Sequence, residues 1–278
     1  MKDLKIAAVC MESRLFEIER NIERMWLFVD KACNEKVDII CFPEFSITGY
    51  VQRNPGEVYS NSFSEEIINR ICGMAASRNI TIIAGMIEIS KGSKPFISQV
   101  IASPEGLAGV HRKTHLSPTE KGTFQEGEDI NVFTLDKVTL GIQLCYEAHF
   151  PEISTLMALK GAEVIFFPHA SPRGTPGEKL RSWLRHLPGR AFDNSLFVVA
   201  CNLVNKTNGS LEFPGTALLL NPAGRIIATC SEEREDMLVA ELKKEDLEEV
   251  RNHRMRHFFP NRRPELYKGI STTVEELS

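Results

Sequence analysis

Strand-length apolar runs alternate with stretches whose apolar residues recur at helical spacing, and this alternation restricts the chain to a layered α/β architecture. Residues 4–10 read as a buried strand. Leu15, Ile18, Ile22, Met25, Trp26, Val29 and Cys33 then follow at the three- and four-residue spacing of one helix face. Residues 37–43 are a second strand, residues 64–78 a helix with Ser64 at its N-cap, and residues 80–89 a third strand. Further on, hairpins appear. Residues 98–102 and 107–113 flank a turn at Pro104, Glu105 and Gly106, and residues 132–135 and 138–146 flank Asp136 and Lys137. Residues 216–220 and 225–229 flank Asn221, Pro222, Ala223 and Gly224. Helices are predicted over 152–160 and 177–192, the second bent or ended early by Pro188, with strands over 163–167 and 196–201. Crossovers mixed with hairpins predict sheets packed face to face with helices outside. No linker or repeat interrupts residues 1–250, so one domain is expected there. The basic stretch that follows, broken by Pro260 and Pro264, is expected to form an extended arm over 251–278.

With 42% hydrophobic and 25% charged residues among 278, the chain has ample material for a large core. Its formal net charge of -4 gives no reason to expect nucleic acid as a partner. No apolar segment approaches the roughly 20 residues needed to span a bilayer, and no N-terminal apolar run resembles a signal peptide. No membrane partner is therefore expected, and the expected location is cytoplasmic. The seven cysteines form no C-x-x-C pair, so neither a zinc site nor a disulfide scaffold is expected. Those other than Cys145 read as small buried hydrophobes.

Three segments end an apolar run with a reactive side chain. In Cys41-Phe42-Pro43-Glu44, the proline stops the strand's hydrogen bonding and places Glu44 at its C-terminal mouth, where α/β proteins commonly build their sites. His111-Arg112-Lys113-Thr114-His115 closes the first hairpin with cations, which could equally be a charged edge. In Gln143-Leu144-Cys145-Tyr146-Glu147, a cysteine ends a strand and precedes a helix, whose N-terminal amides would lower its pKa and bind an oxyanion.

Taken in order, these segments resemble the nitrilase superfamily, the carbon–nitrogen hydrolases with a Glu–Lys–Cys triad. The likeness adds Gly49-Tyr50, Glu120-Lys121 with Phe124 and Gly127, Phe150-Pro151-Glu152, Arg190-Ala191 with Asn194, and residues 262–267. It implies a four-layer αββα sandwich, no metal, no organic cofactor, and a homodimer or dimer-based oligomer with the arm at the subunit interface. It implies Cys145 as nucleophile, Glu44 as base, Lys113 and the Tyr146 N–H as oxyanion donors, and Glu120 as the carboxylate that holds Lys113. Tyr50, Phe124, His149, His169 and Arg173 are expected to shape the substrate pocket, with Arg173 a candidate for holding a substrate carboxylate. Glu147 departs from the aspartate of many members. The implied substrate is a small linear amide or N-carbamoyl compound. Nitrile hydrolysis and amide-forming acyl transfer are alternatives at the same site, and a non-catalytic binding protein that keeps the fold is one from a different class. A Cys–His reading would use His149, four residues from the thiol.

Overall fold

The computed structural model of the chain describes residues 1–51, 63–90, 93–206 and 211–271. Its first six-stranded sheet runs in the order β14 (Asp236–Leu242), β1 (Leu4–Cys10), β2 (Ile39–Cys41), β3 (Thr81–Glu88), β4 (Phe96–Ser103), β5 (Gly106–Arg112). The second runs β13 (Ile226–Ser231), β12 (Thr216–Leu220), β9 (Phe197–Asn202), β8 (Val164–His169), β7 (Thr139–Ile142), β6 (Val132–Thr134). β1, β2 and β3 are parallel, as are β7, β8 and β9, and antiparallel strands complete both sheets. A short ribbon, β10 (Asn205–Lys206) with β11 (Glu212–Phe213), stands apart.

Strand alternation divides the apolar residues among three cores. Ile6, Ala8, Cys41, Ile83, Leu140, Ile142, Phe166 and Val199 meet between the two sheets. Ala7, Val9, Ile40 and Ile82 face the other way, against Ile22, Met25, Val29 and Ile71 of α1 (Ile18–Asn34) and α2 (Phe63–Arg78). Ile165, Phe167 and Val198 face α3 (Pro151–Leu159), α4 (Pro176–Trp183) and α5 (Leu187–Asn194) through Ile153, Met157, Trp183 and Leu187. A strand covered on both faces has no solvent side, which is why the central strands read as unbroken apolar runs. The layers are helix, sheet, sheet, helix, the expected αββα sandwich.

Local departures have physical causes. The helix predicted over 177–192 is two helices, and Pro188 lies in the first turn of α5, where its missing N–H costs nothing. The strand predicted over 138–146 stops at Ile142. Strand β14 and helix α6 (Lys244–Arg251) were not legible, because β14 is an edge strand with only Met237 and Leu242 buried. The arm is not extended: it folds into short 3-10 turns at Phe259–Asn261, Pro264–Leu266 and Lys268–Ser271. Arg251 anchors its start, donating from Nε to the Ser195 carbonyl (3.1 Å) and from Nη2 to that of Ala162 (3.0 Å). Residues 272–278 of the expected arm lie outside the described residues.

Gly85 of β3 supports the segment that leaves β2. Its N–H donates to Ser46 Oγ (3.0 Å) and its carbonyl accepts from the Ile47 N–H (2.9 Å). A Cβ at this position would come within 2.5 Å of the Phe45 nitrogen and 2.7 Å of the Pro43 oxygen, both backbone atoms that cannot swing aside. Gly85→Ala should therefore cost about 1–3 kcal/mol of stability. Urea denaturation checks this, and an unchanged midpoint would show that the 43–47 segment yields freely.

Candidate active site

The site forms where β2, β5, β7 and β8 run out at one end of the two sheets. Phe42 keeps one more bond, its N–H to the Ile83 carbonyl (2.8 Å), before Pro43 ends the ladder and Glu44 follows, 1% exposed. Lys113 closes β5 with its N–H on the Ile97 carbonyl (2.8 Å) and is likewise 1% exposed. Beyond β7, Gln143 makes a last bond to Phe166 (2.9 Å), and Cys145 opens a 3-10 turn, Cys145–His149, that leads into α3. The cysteine thus stands beyond the strand rather than at its end. Its φ of +31° lies in the left-handed region, a conformation that costs on the order of 1–3 kcal/mol for a non-glycine residue.

Lys113 joins the two buried carboxylates. Its Nζ donates to Glu44 Oε1 and to Glu120 Oε1, each at 2.8 Å. The outer oxygens are also occupied: Glu44 Oε2 accepts the Ala170 N–H (3.0 Å) and Glu120 Oε2 accepts that of Ser117 (2.7 Å). Burial pushes the Glu44 carboxyl up to about 7 against the pull of Lys113. Burial pushes Lys113 down, but Glu44 and Glu120 outweigh it and hold the ammonium well above the ordinary lysine range. Burial, then Glu44, push the Cys145 thiol up to about 12, against the pull of Lys113. The thiol is therefore protonated at rest. The expectation that helix amides would lower its pKa gives way to desolvation and a neighbouring carboxylate, which raise it.

Glu147 has a larger part than its sequence position suggested. Wholly buried, it accepts from His111 Nε2 (2.9 Å) and the Leu144 N–H (2.6 Å) at Oε2, and from the Thr114 N–H (2.7 Å) and Oγ1 (2.6 Å) at Oε1. Burial pushes its carboxyl up, but His111, Thr114 and the Leu144 N–H outweigh that and hold it at about 2. One carboxylate thereby ties the residues beside Lys113, on the first sheet, to the residue before Cys145, on the second. Arg190 braces the same turn, donating from Nε (3.2 Å) and Nη2 (3.1 Å) to the Ala148 carbonyl.

The residues expected to shape the pocket are placed unevenly around this centre. Tyr50 is half-buried, with its ring 5.5 Å from that of Phe45 and 5.1 Å from that of Phe213. Phe124 is buried behind Phe45, 6.0 Å between centroids. Tyr146 is half-buried in the first turn after Cys145, and His149 is exposed beside it, 5.9 Å away. His169, at the end of β8, is buried against Trp183 (4.6 Å), donates from Nδ1 to the Phe167 carbonyl (2.8 Å), and is pushed by burial to about 3. Partial desolvation, with Arg190, also lowers His149. Arg173 is exposed, with its N–H on the Glu212 carbonyl (2.8 Å). Sequence reasoning passed over Lys179 of α4 and His186, which lies 4.8 Å from His149. Among the described residues, no group of three or more His, Cys, Asp or Glu side chains could hold a metal ion.

Residues 5–252 match the family model described as carbon-nitrogen hydrolase. A nitrilase of Pyrococcus abyssi is 30% identical over 271 residues, covering 95% of this chain and 99% of its own length. A 2-oxoglutaramate amidase of Bacillus subtilis is 30% identical over 234 residues, 83% of this chain and 87% of its own. In fold, the crystal structure of a Helicobacter pylori carbon-nitrogen hydrolase superposes with a TM-score of 0.87 at 24% identity, covering 96% of this chain and 98% of that one.

Glu147 generates a pH-dependent prediction. Its carboxyl lies at about 2 against an ordinary 4.5, so its contribution is fully present above pH 4.5 and is lost as pH falls towards 2. That contribution is about 3 kcal/mol. Denaturant unfolding of wild type and Glu147→Gln at pH 5 and pH 3 should show the difference between them shrinking at the lower pH. A difference independent of pH would mean that the carboxylate charge is irrelevant to the clamp.

Proposed function

Because the chain belongs to the carbon–nitrogen hydrolase family, whose members act on non-peptide C–N bonds, we propose that it hydrolyses a small linear amide or N-carbamoyl compound through a thioester on Cys145. The observation that carries this reading is the buried Glu44–Lys113–Glu120 chain, with Glu44 near 7 beside a thiol that is protonated at rest. A base with its pKa near the operating pH serves in both directions of proton transfer.

Glu44 takes the thiol proton as sulfur attacks the carbonyl carbon. Charge develops on the carbonyl oxygen, where Lys113 and the Tyr146 N–H donate to it. The C–N bond breaks, Glu44 returns the proton to the departing nitrogen, and ammonia or amine leaves the acyl group on sulfur. Glu44 then takes a proton from water, whose oxygen adds to the thioester. The C–S bond breaks, the acid leaves, and the thiol recovers its proton. Glu120 fixes Lys113 throughout, which keeps the ammonium aimed while Glu44 changes charge. His149, the last residue of the cysteine turn, is the weaker base candidate, since it is exposed while Glu44 is buried and bonded to Lys113.

The same reading takes the protein as a homodimer or a dimer-based oligomer. Leu156 and Leu159 of α3, Phe192 of α5 and Phe258 of the arm are exposed apolar residues, and the rings of Phe192 and Phe258 lie 5.4 Å apart. Truncation after Val250 removes Phe258 and the Arg251 anchor and should weaken assembly. Light scattering that finds a monomer for the intact chain would contradict this.

Incubation with a panel of amides, N-carbamoyl compounds and nitriles, followed by mass spectrometry, should reveal an acyl adduct on Cys145. Adducts should be absent from Cys145→Ala, and Glu44→Gln should block both their formation and their hydrolysis. Lys113→Ala should lose rate by about a hundredfold or more. As Glu44 must be ionised to act, kcat/KM should rise with pH through about 7. Full activity in Cys145→Ala, or an acid limb near the ordinary carboxylate value, would overturn the mechanism.

A further inference from the structure

The fold sets Lys179 against the loop that follows β8, while Arg173 of that loop is exposed. Positive φ at Arg173 (+73°) and Gly174 (+79°) reverses the chain after the β8 loop. Thr175 then caps α4, its Oγ1 accepting the Glu178 N–H (3.3 Å) while Glu178 Oε2 accepts the Thr175 N–H (2.8 Å). This reversal leaves Arg173 exposed and carries Lys179, one turn into the helix, back over the loop. Its Nζ donates to Ser171 Oγ (2.7 Å) and to the Pro172 carbonyl (3.3 Å).

The loop under Lys179 is part of the site. Ala170, next to Ser171, donates its N–H to Glu44 Oε2 (3.0 Å), and the Ser171 N–H is held by Asn202 Oδ1 (2.8 Å). Lys179 is near enough to Cys145 for each to act on the other's ionisation. Its partners differ from those of Lys113. Lys113 has two carboxylates, both at 2.8 Å, whereas the acceptors of Lys179 are neutral and no carboxylate among the described residues bonds it. Lys179 is half-buried, and burial disfavours its charge. An ammonium has three N–H donors, so one remains for a further acceptor. A desolvated cation with neutral partners gains most from an anion that arrives with its own charge.

The geometry points to Lys179 as the anchor for a substrate carboxylate, which makes the substrate a short acid bearing an amide or N-carbamoyl group rather than a neutral amide. This rests on the thiol-hydrolase reading and narrows it. The Ser171 hydroxyl, already fixed by Lys179, would share that carboxylate.

The test compares a short ω-amide that ends in a carboxylate with its neutral methyl-terminated counterpart, in wild type, Lys179→Met and Lys179→Arg. Wild type should prefer the acid in kcat/KM by about tenfold or more, the scale of one charge-assisted hydrogen bond. Lys179→Met should collapse that ratio through the KM of the acid, and Lys179→Arg should retain most of it. Circular dichroism confirms that each variant is folded. Turnover of both amides by wild type without preference would overturn the anchor alone, as would a preference that survives in Lys179→Met. An equal loss on both substrates would assign Lys179 to the field at the thiol instead. If wild type turned over neither amide and formed no Cys145 adduct with any compound, the hydrolase reading would fail, and the anchor with it.

Discussion

A buried ammonium shared by two buried carboxylates is the interaction on which the site depends. Without partners, a lysine as buried as Lys113 would shed its proton rather than bear several kcal/mol of desolvation. With Glu44 and Glu120 both at 2.8 Å it stays charged, and the excess negative charge falls on the group that can release it by protonation. Each carboxylate has a second bond from a backbone N–H, Ser117 to Glu120 and Ala170 to Glu44. Glu44, more deeply buried, rises to about 7. One local arrangement thus holds a charged ammonium beside a carboxyl that titrates near neutrality, the pair that the proposed mechanism uses.

That arrangement works only if the thiol is held against it, and the thiol comes from the other sheet. Glu147 makes this connection, joining His111 and Thr114 on the Lys113 side to the Leu144 N–H on the Cys145 side. The left-handed backbone at Cys145 needs such support, since an unsupported non-glycine residue would relax out of it. The sandwich places the ends of β2, β5 and β7 at one edge, and buried polar bonds fix their last residues.

Much of this was legible in the sequence, for identifiable reasons. Central strands covered on both faces left unbroken apolar runs, and Pro43 marked where β2 lets go of its neighbour just before Glu44. The motifs around Glu44, Lys113, Glu120 and Cys145 carried a family likeness that the family match over residues 5–252 confirms. What could not be read depends on long-range geometry. Nothing local marks Glu147 as a clamp between sheets, because its partners lie up to 36 residues away. Arg173 was the candidate for holding a substrate carboxylate; it is exposed, and the chain reversal at Arg173 and Gly174 sets Lys179 on Ser171 and Pro172. The Thr175–Glu178 capping box was the available signal for that reversal. Strand β14 escaped notice because an edge strand with few buried residues has no clear alternation.

The central claim is that burial, opposed by Lys113, sets the Glu44 carboxyl near neutrality. The direct measurement is carboxyl titration by NMR, with glutamate labelled at the side-chain carbon and Glu44 assigned by comparison with Glu44→Gln. A resonance lost in that variant and titrating with a midpoint near 7 is the expected result. A midpoint at the ordinary glutamate value of about 4.3 would contradict the account, leaving Glu44 a spectator carboxylate and Cys145 without its base.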